Sequence, residues 1–390
     1  MHFYKFLQIQ NIISYLKTFF NILKIYLEMD RRKKNKFIVF YFPLRAYNKN
    51  IIEIEQELRK IKKIKSFFLY NEKSKSEISN YSNSFFLDFG YLKYIPFSDF
   101  FLKKINIFIS AYVNYVFPPN SKNIYICHDI SDVPMVNKNL ERKIFLSLSK
   151  MHFIFLSSKT VVDYFKSKFE KYVSNQSRIP NLINTGYLKL DNVIANLKKN
   201  KNHNNTILIA PTYSLQMKQF NLTKSLNNII QNLTKLDHKV IYRPHPLDLT
   251  DKGNNEFVKY ISKKFSKSKN FSVDLSTSYL KSYSEAKLLI TDFSGTAYTF
   301  AYSTLKPVIF FSKNENKFKK NKDSKLSYFK DRNKIGLIST NIKSLVKNVY
   351  KISKNQKKIT RKIFRLRKKR IKYINMSLEI TTKFIKRIVK

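Results

Sequence analysis

The sequence predicts a two-domain α/β protein in which each domain is built on a mostly parallel sheet. Three observations carry that prediction. The 390 residues exceed the size at which a single hydrophobic core stops growing and a chain divides into domains. From Lys36 onward, short apolar runs alternate with helical patterns, which is how strands covered on both faces and joined by crossover helices read. The polar stretch Leu197-Lys-Lys-Asn-Lys-Asn-His-Asn-Asn205 has no apolar period and divides the pattern in two as an interdomain linker.

In the first half, the strands are expected at Phe37–Phe42, Ser66–Tyr70, Asn123–Cys127 and His152–Leu156. In the second half they are expected at Thr206–Ala210, Lys239–Tyr242, Phe271–Val273, Lys287–Thr291 and Pro307–Phe311. Ahead of the first series, Phe6, Ile9, Ile13, Leu16, Phe20, Leu23 and Leu27 recur at spacings of three and four within residues 3–27, the pattern of an amphipathic helix. The basic run Arg31-Arg32-Lys33-Lys34 follows. Such a helix packs on its own protein's core or lies in the plane of a membrane surface. Near the other end, Lys357 to Lys372 carries ten Lys or Arg and no acid, interleaved with Ile359, Ile363, Phe364, Leu366 and Ile371. A helix there has a narrow apolar stripe that can cross both lobes and a cationic face suited to anionic lipid. The expected divisions are a helical segment 1–35, a first domain 36–196, a second domain 206–350 and a basic helical extension 351–390. No internal repeat is seen.

An apolar fraction of 43%, with 34 Phe and 25 Tyr, excludes a disordered polyelectrolyte. The net charge of +49, from 75 Lys and Arg against 26 Asp and Glu, exceeds what solubility requires and calls for a polyanionic partner. Nucleic acid, an anionic leaflet, or a phosphate-rich polymer and its nucleotide-activated precursor all qualify. Part of the charge needs no function, since abundant Lys, Asn and Ile with few Gly and no Trp is what AT-rich coding produces. Cys127 is the single cysteine, so a disulfide framework is excluded and a reducing compartment fits. No secretory signal and no apolar run of about 18 residues or more is found, so the expectation is a protein neither exported in the ordinary way nor membrane-spanning. No aromatic–basic motif or helix-turn-helix signature supports specific nucleic-acid binding.

Five glycines in the whole chain make each position informative, because glycine matters where the backbone must bend or be approached closely. Gly295 lies in Leu288-Leu-Ile-Thr-Asp-Phe-Ser-Gly-Thr-Ala-Tyr-Thr-Phe-Ala301, an apolar strand, a polar turn and a helical stretch. That order places free N–H groups and the positive end of a helix dipole at the carboxyl edge of a sheet. Ser294 and Thr296 add hydroxyls, which makes the turn a candidate diphosphate cradle. The alternative is an ordinary helix start capped by Asp292 or Ser294. The turn Arg243-Pro244-His245-Pro246 also follows a strand, and its prolines stiffen the backbone where a cation and a titratable ring emerge. That suits a phosphate clamp with a catalytic acid or base. In the first half, the run ending Ile126-Cys-His-Asp-Ile-Ser-Asp132 delivers His128 and Asp129 at a strand's carboxyl end, a candidate base with Asp129 or Asp132 as orienting partner; a locally bonded loop histidine is the alternative. His152, His203 and His238 read as structural or solvated, Cys127 as a buried thiol, and no cluster has metal-ligand spacing.

Taken together, these segments resemble the CDP-glycerol glycerophosphotransferase family, whose members prime or polymerise teichoic acids on a GT-B fold of two Rossmann-like domains facing a central cleft. The similar stretches are the strand leading to His128, Asn184-Thr-Gly-Tyr-Leu-Lys-Leu-Asp191, Ile207-Leu-Ile-Ala-Pro-Thr-Tyr213, Tyr242-Arg-Pro-His-Pro246, and Ile290-Thr-Asp-Phe-Ser-Gly-Thr296 with Lys306-Pro-Val-Ile-Phe310. They keep the family's order. The resemblance implies that His128 is the general base on the acceptor hydroxyl and that His245, with Arg243, supports the donor phosphates or the leaving group. It places Ser294, Gly295 and Thr296 at the donor pyrophosphate, with Thr212 and Asp292 in the same pocket.

The reaction so implied is attack of a lipid-linked or polymeric hydroxyl on the distal phosphorus of a CDP-alcohol, releasing CMP at the inner face of the cell membrane, with an anionic membrane surface as partner. Its demands are positioning and charge neutralisation, and no cofactor or metal is expected. The chain departs from the family in having Asp129 after the histidine where Gly is usual, Gly295 where a second Ser is usual, and Thr299 where an acid is usual. A GT-B glycosyltransferase using a nucleotide sugar is the enzymatic alternative, and a basic nucleic-acid-binding protein the non-enzymatic one.

Overall fold

Strands form where apolar runs can be covered on both faces. The run Lys36–Phe42 (β1) is buried at every position after Lys36, and such continuous burial requires helices above and below a parallel sheet. In a computed structural model, which describes residues 9–42, 51–71, 78–113, 117–133, 135, 137–175, 178–197, 205–215, 221–250, 252–276, 278–319 and 325–389, this occurs in two separate sheets.

The first sheet contains β1, β2 (Ile64–Tyr70), β3 (Ser84–Phe86), β4 (Ile107–Ser110), β5 (Lys122–Ile126), β6 (Phe153–Leu156) and β7 (Asn181–Asn184) in the order β3-β2-β1-β4-β5-β6-β7. The second contains β8 (Thr206–Ile209), β9 (Lys239–Tyr242), β10 (Phe271–Val273), β11 (Ala286–Thr291), β12 (Val308–Phe311) and β13 (Gly336–Ser339) in the order β10-β9-β8-β11-β12-β13. Every pairing in both sheets is parallel. Strand order reverses between β1 and β4 and again between β8 and β11. In doubly wound sheets that reversal opens a crevice at the carboxyl ends of the strands, where ligands bind.

All nine expected strands form, within two residues of their predicted bounds. β3, β4, β7 and β13 were not expected. β3 and β7 are short edge strands, and β7 begins and ends with Asn, so neither carries a strong apolar pattern. β4 lies in an aromatic stretch with no turn residue to delimit it, and β13 starts at Gly336. Neighbouring strands, not local pattern, define these four.

The amphipathic N-terminal segment is a helix over Ile9–Arg31, residues 3–8 of the expected span lying outside the described residues. It buries Ile22, Ile25 and Met29 in a cluster with Phe37, Val39 and Phe67 of the first lobe. Its other side exposes Ile13, Leu16 and Phe20, the last 61% accessible. The sequence left open packing on the protein's own core or lying in the plane of a membrane; the helix packs on the core along one side and exposes apolar side chains on the other.

Of the expected linker Leu197–Asn205, residues 198–204, His203 among them, lie outside the described residues. The expected division at residue 350 falls inside the helix Ile342–Arg370, which begins at a capping box between Asn341 and Ser344 and kinks at Asn355. This helix buries Ile363 and Leu366 in the second lobe. The next helix, Ser377–Val389, returns to the first, where Phe384 packs edge-on against Phe153 and Phe155 at 5.4 and 5.5 Å. Asp191 holds this return by accepting the Asn375 and Ser377 N–H groups at 2.8 and 2.9 Å. Gly186, at φ +83°, permits the close approach, since a Cβ there would overlap Ser377 and the Tyr373 carbonyl.

The tightest glycine is Gly336, where a Cβ would overlap the Val308 carbonyl of the neighbouring strand. Gly336→Ala is therefore expected to lower unfolding stability by about 2 kcal/mol or more, as overpacked core substitutions do. Chemical denaturation checks it, and an unchanged midpoint contradicts this packing.

Candidate active site

The second-lobe half of the site is built at the reversal between β8 and β11. The Ala210 N–H donates to the Ile290 carbonyl at 3.0 Å and Thr291 Oγ1 donates to the Ala210 carbonyl at 2.6 Å, which locks the two strand ends together. Asp292 comes next, buried, its two oxygens accepting the N–H groups of Thr212 at 2.8 Å and Leu222 at 2.9 Å. Burial pushes its carboxyl up to about 6 against the pull of those donors. Asp292 was expected among the donor-binding residues. The structure places it differently: its carboxylate is spent on the loop after β8, and it fixes the buried Thr212 instead of facing the cleft.

Beyond Asp292 and the buried Phe293, the three residues Ser294, Gly295 and Thr296 are half-exposed, and the helix Thr296–Thr304 that follows is buried again through Ser303. The N-terminus of that helix therefore opens to the surface only at the polar turn. Ser294 Oγ accepts the Thr296 N–H at 3.2 Å, the short-range cap that the sequence allowed. No side-chain cap covers Gly295 itself.

His245 projects from the turn after β9. Asp248, buried, accepts both the N–H and the hydroxyl of Ser214 at 3.1 and 2.6 Å, tying this turn to the loop after β8. The Leu247 N–H donates to His245 Nδ1 at 3.2 Å. An Nδ1 that accepts carries no proton, so the neutral ring bears its proton on Nε2. Burial, reinforced by the charge of Lys189, lowers the imidazole to about 4.

Arg243, expected as a phosphate clamp, is committed elsewhere. Its guanidinium donates to Asp274 at 2.6 Å and to the Ser276 and Ser278 carbonyls at 2.8 and 3.3 Å. Burial opposes ionisation of Asp274, but hydrogen bonds from Ser276 and Ser282 and the charge of Arg243 outweigh it and hold the carboxyl low. Arg243 thus orders the loop after β10.

The first lobe supplies His128 and Asp129 just beyond β5. The Tyr187 hydroxyl donates to the His128 carbonyl at 2.6 Å, His128 Nδ1 lies 3.5 Å from the Tyr125 hydroxyl, and Ser157 donates to the Asp129 carbonyl at 2.7 Å. Asp132, considered as an orienting partner for His128, is instead the cap of a second-lobe helix. It accepts the N–H groups of Ser327 and Tyr328 at 2.7 and 2.8 Å.

The two halves meet. The Cβ side of Gly295 is closed by the first lobe's Val133 and Asp129, whose Cγ2 and Oδ1 lie 3.6 and 3.9 Å from where a Cβ would stand. Lys189 of the first lobe holds its ammonium 4.8 Å from the centre of the Tyr279 ring, and the Arg243 guanidinium lies 6.0 Å from the same ring. Asp129, Lys189, His245 and the 294–296 turn therefore gather where the two lobes meet, with His128 next to Asp129 in the chain. Lys189, Tyr187, Tyr279 and Tyr283 were missed as site residues. The first two sit in the stretch Asn184–Asp191 already marked by resemblance, whereas nothing local distinguishes the tyrosines of 279–283.

The other candidates fall away from the cleft. Burial pushes the Cys127 thiol well up, which removes it as a nucleophile. His152 Nδ1 accepts the Asn123 N–H at 3.1 Å, and His238 lies beside Asn205 and Lys287. Among the described residues, no three metal-ligating side chains converge.

Two doubly wound parallel lobes that meet near the Gly295 turn define a protein of GT-B-like architecture. Residues 23–377 match the family CDP-Glycerol:Poly(glycerophosphate) glycerophosphotransferase, and the chain belongs to it. It is thus a glycerophosphate-transferring enzyme, and the nucleotide-sugar alternative is not favoured. Among solved structures, the wall teichoic acid polymerase TagF is 16% identical over 98% of both chains, with a TM-score of 0.62. A TagF variant soaked with CDPG matches over the same shares with a TM-score of 0.61. UDP-GlcNAc 2-epimerase of Methanocaldococcus jannaschii, in complex with UDP-GlcNAc and UDP, is 12% identical over 80% of this chain and 92% of its own, with a TM-score of 0.53. At these identities the likeness establishes the fold. No curated protein sequence matches.

The His245 ring yields a direct expectation. In the free protein it should remain neutral down to about pH 4 and carry its proton on Nε2. NMR titration of the imidazole signals checks this, and a midpoint near the usual 6.5 contradicts the described environment.

Proposed function

We propose that the chain transfers an alcohol phosphate, glycerol phosphate first among candidates, from a CDP-alcohol to a hydroxyl of a lipid-linked or polymeric acceptor in cell-surface glycopolymer synthesis. The observation that supports the reading is the meeting of Asp129, the residue after His128 in one lobe, with the Gly295 turn of the other, in a chain matched by the family over residues 23–377.

In this reading, the diphosphate meets the Gly295 N–H and the Ser294 hydroxyl at the start of the helix, where the helix dipole favours negative charge. Thr212 lines the floor, fixed by Asp292. The acceptor oxygen attacks the distal phosphorus, its proton passes to His128, and the bond from that phosphorus to the bridging oxygen breaks. CMP leaves with the bridging oxygen. His245 donates from Nε2 to the phosphate oxygens as charge builds on the leaving group, and the incoming anion raises its affinity for a second proton. Arg243 contributes by ordering the loop that carries Tyr279.

Mass spectrometry of products formed from CDP-glycerol, CDP-ribitol and UDP-sugars tests the donor class. A CDP-alcohol should yield CMP and an extended acceptor; sugar transfer with release of UDP would overturn the reading. His128→Ala and His245→Ala should each lower transfer by about a hundredfold or more, as loss of a general acid or base does, with melting temperature unchanged. Full activity in either variant removes that residue from the mechanism.

The acceptor class also suggests where the protein works. Ile13, Leu16 and Phe20 on the N-terminal helix and Phe100 on the neighbouring helix Ser98–Lys104 are exposed, with Lys17, Lys24, Arg31 and Arg32 on the same segment. Apolar side chains rimmed by cations suit peripheral attachment to the inner, anionic leaflet. Liposomes containing phosphatidylglycerol should sediment the protein and salt should release it. Equal binding to neutral liposomes would contradict a charge-driven attachment.

A further inference from the structure

Four carboxylates around the cleft are spent on the protein itself. Asp132 holds the Ser327 and Tyr328 N–H groups, Asp292 those of Thr212 and Leu222, Asp248 the backbone and hydroxyl of Ser214, and Asp274 the Arg243 guanidinium. Asp129 differs. Among the described residues, no side-chain hydrogen bond or ion pair engages its carboxylate, while its backbone is pinned through the carbonyl by Ser157. It is half-buried, and its Oδ1 lies 3.9 Å from where a Cβ on Gly295 would stand. An acid with unspent acceptor capacity thus faces an anion cradle from the opposite lobe.

That placement is costly unless the ligand answers it. A carboxylate beside a phosphate repels it, and partial burial strengthens the repulsion. The repulsion is offset when the ligand carries hydrogen-bond donors next to its phosphate, because an ionised carboxylate accepts several strong hydroxyl bonds. A phosphorylated polyol is such a ligand. With the diphosphate on the 294–296 turn, the transferred alcohol extends from the distal phosphate toward the first lobe, where Asp129 and His128 stand.

We propose that the Asp129 carboxylate accepts hydrogen bonds from the hydroxyl groups of the transferred alcohol and thereby selects polyol donors over alcohols that lack them. The inference rests on the CDP-alcohol reading above and adds a specificity determinant to it. His128 keeps its own proposed task as base on the acceptor hydroxyl.

The test compares CDP-glycerol with its hydroxyl-free counterpart, the CDP ester of propanol, in wild type, Asp129→Ala and Asp129→Asn. Wild type should prefer CDP-glycerol in kcat/KM by about a hundredfold or more, since a site built to bond a hydroxyl rejects the analogue lacking it. In Asp129→Ala that preference should fall by about tenfold or more. Asp129→Asn, the same size, should fall in the same direction, and it carries the test if the alanine variant does not fold. A preference within twofold of wild type in a folded variant overturns the proposal, as do equal losses on both donors. Wild type inactive with every CDP-alcohol overturns the functional reading and this inference with it, whereas an active wild type with an unaltered preference in the variants overturns the inference alone.

Discussion

The carboxylate of Asp132 joins the two halves of this enzyme. It leaves the first lobe four residues after His128 and caps the helix Ser327–Ile335 of the second. Because each lobe contributes a histidine and only one contributes the helix N-terminus, site geometry depends on how the carboxyl edges of the two sheets face each other. Arg370 adds a second tie: it pairs with the buried Asp331 at 2.7 Å and reaches Thr160 of the first lobe at 3.3 Å. The Asp191 contacts to residues 375 and 377 hold the returning C-terminal helix. Buried N–H groups left without their acceptor cost about 1–3 kcal/mol each, so these junctions stabilise one relative placement of the lobes.

The electrostatics of the cleft differ from those of the surface. The chain carries a net charge of +49, yet the donor side is furnished mainly with neutral groups: backbone N–H, hydroxyls and a neutral imidazole. Arg243 is neutralised by Asp274, and Lys189 stands beside the Tyr279 ring. Fixed dipoles aimed at a diphosphate stabilise charge without reorganising as the reaction proceeds. A cleft full of unpaired cations would bind CMP as firmly as the donor.

Much of this was legible in the sequence, for identifiable reasons. Strands covered on both faces leave continuous apolar runs, so the segments from Phe37 and from Lys239 could be read directly. The motifs that carry His128, His245 and Gly295 follow strand ends, so their places just beyond β5, β9 and β11 could be read from the sequence. What sequence could not settle was where each polar side chain spends its hydrogen bonds. Asp292 and Arg243 have the right types for a phosphate site, but their partners Leu222 and Asp274 lie 70 and 31 residues away, and only folding brings them together. Asp132 looked like a partner for nearby His128 because local order cannot reveal a helix start 195 residues on. Lys189 and Tyr279 were passed over for the same reason, since each becomes a site residue only across the interlobe cleft.

The most direct measurement is a structure of the protein with intact CDP-glycerol bound. The diphosphate should lie at the Gly295 turn, with a phosphate oxygen within hydrogen-bond reach of His245 Nε2 and the glycerol directed toward His128 and Asp129. A nucleotide bound away from the Gly295 turn, or a distal phosphate facing neither histidine, would contradict a cleft assembled from both lobes for phosphoryl transfer.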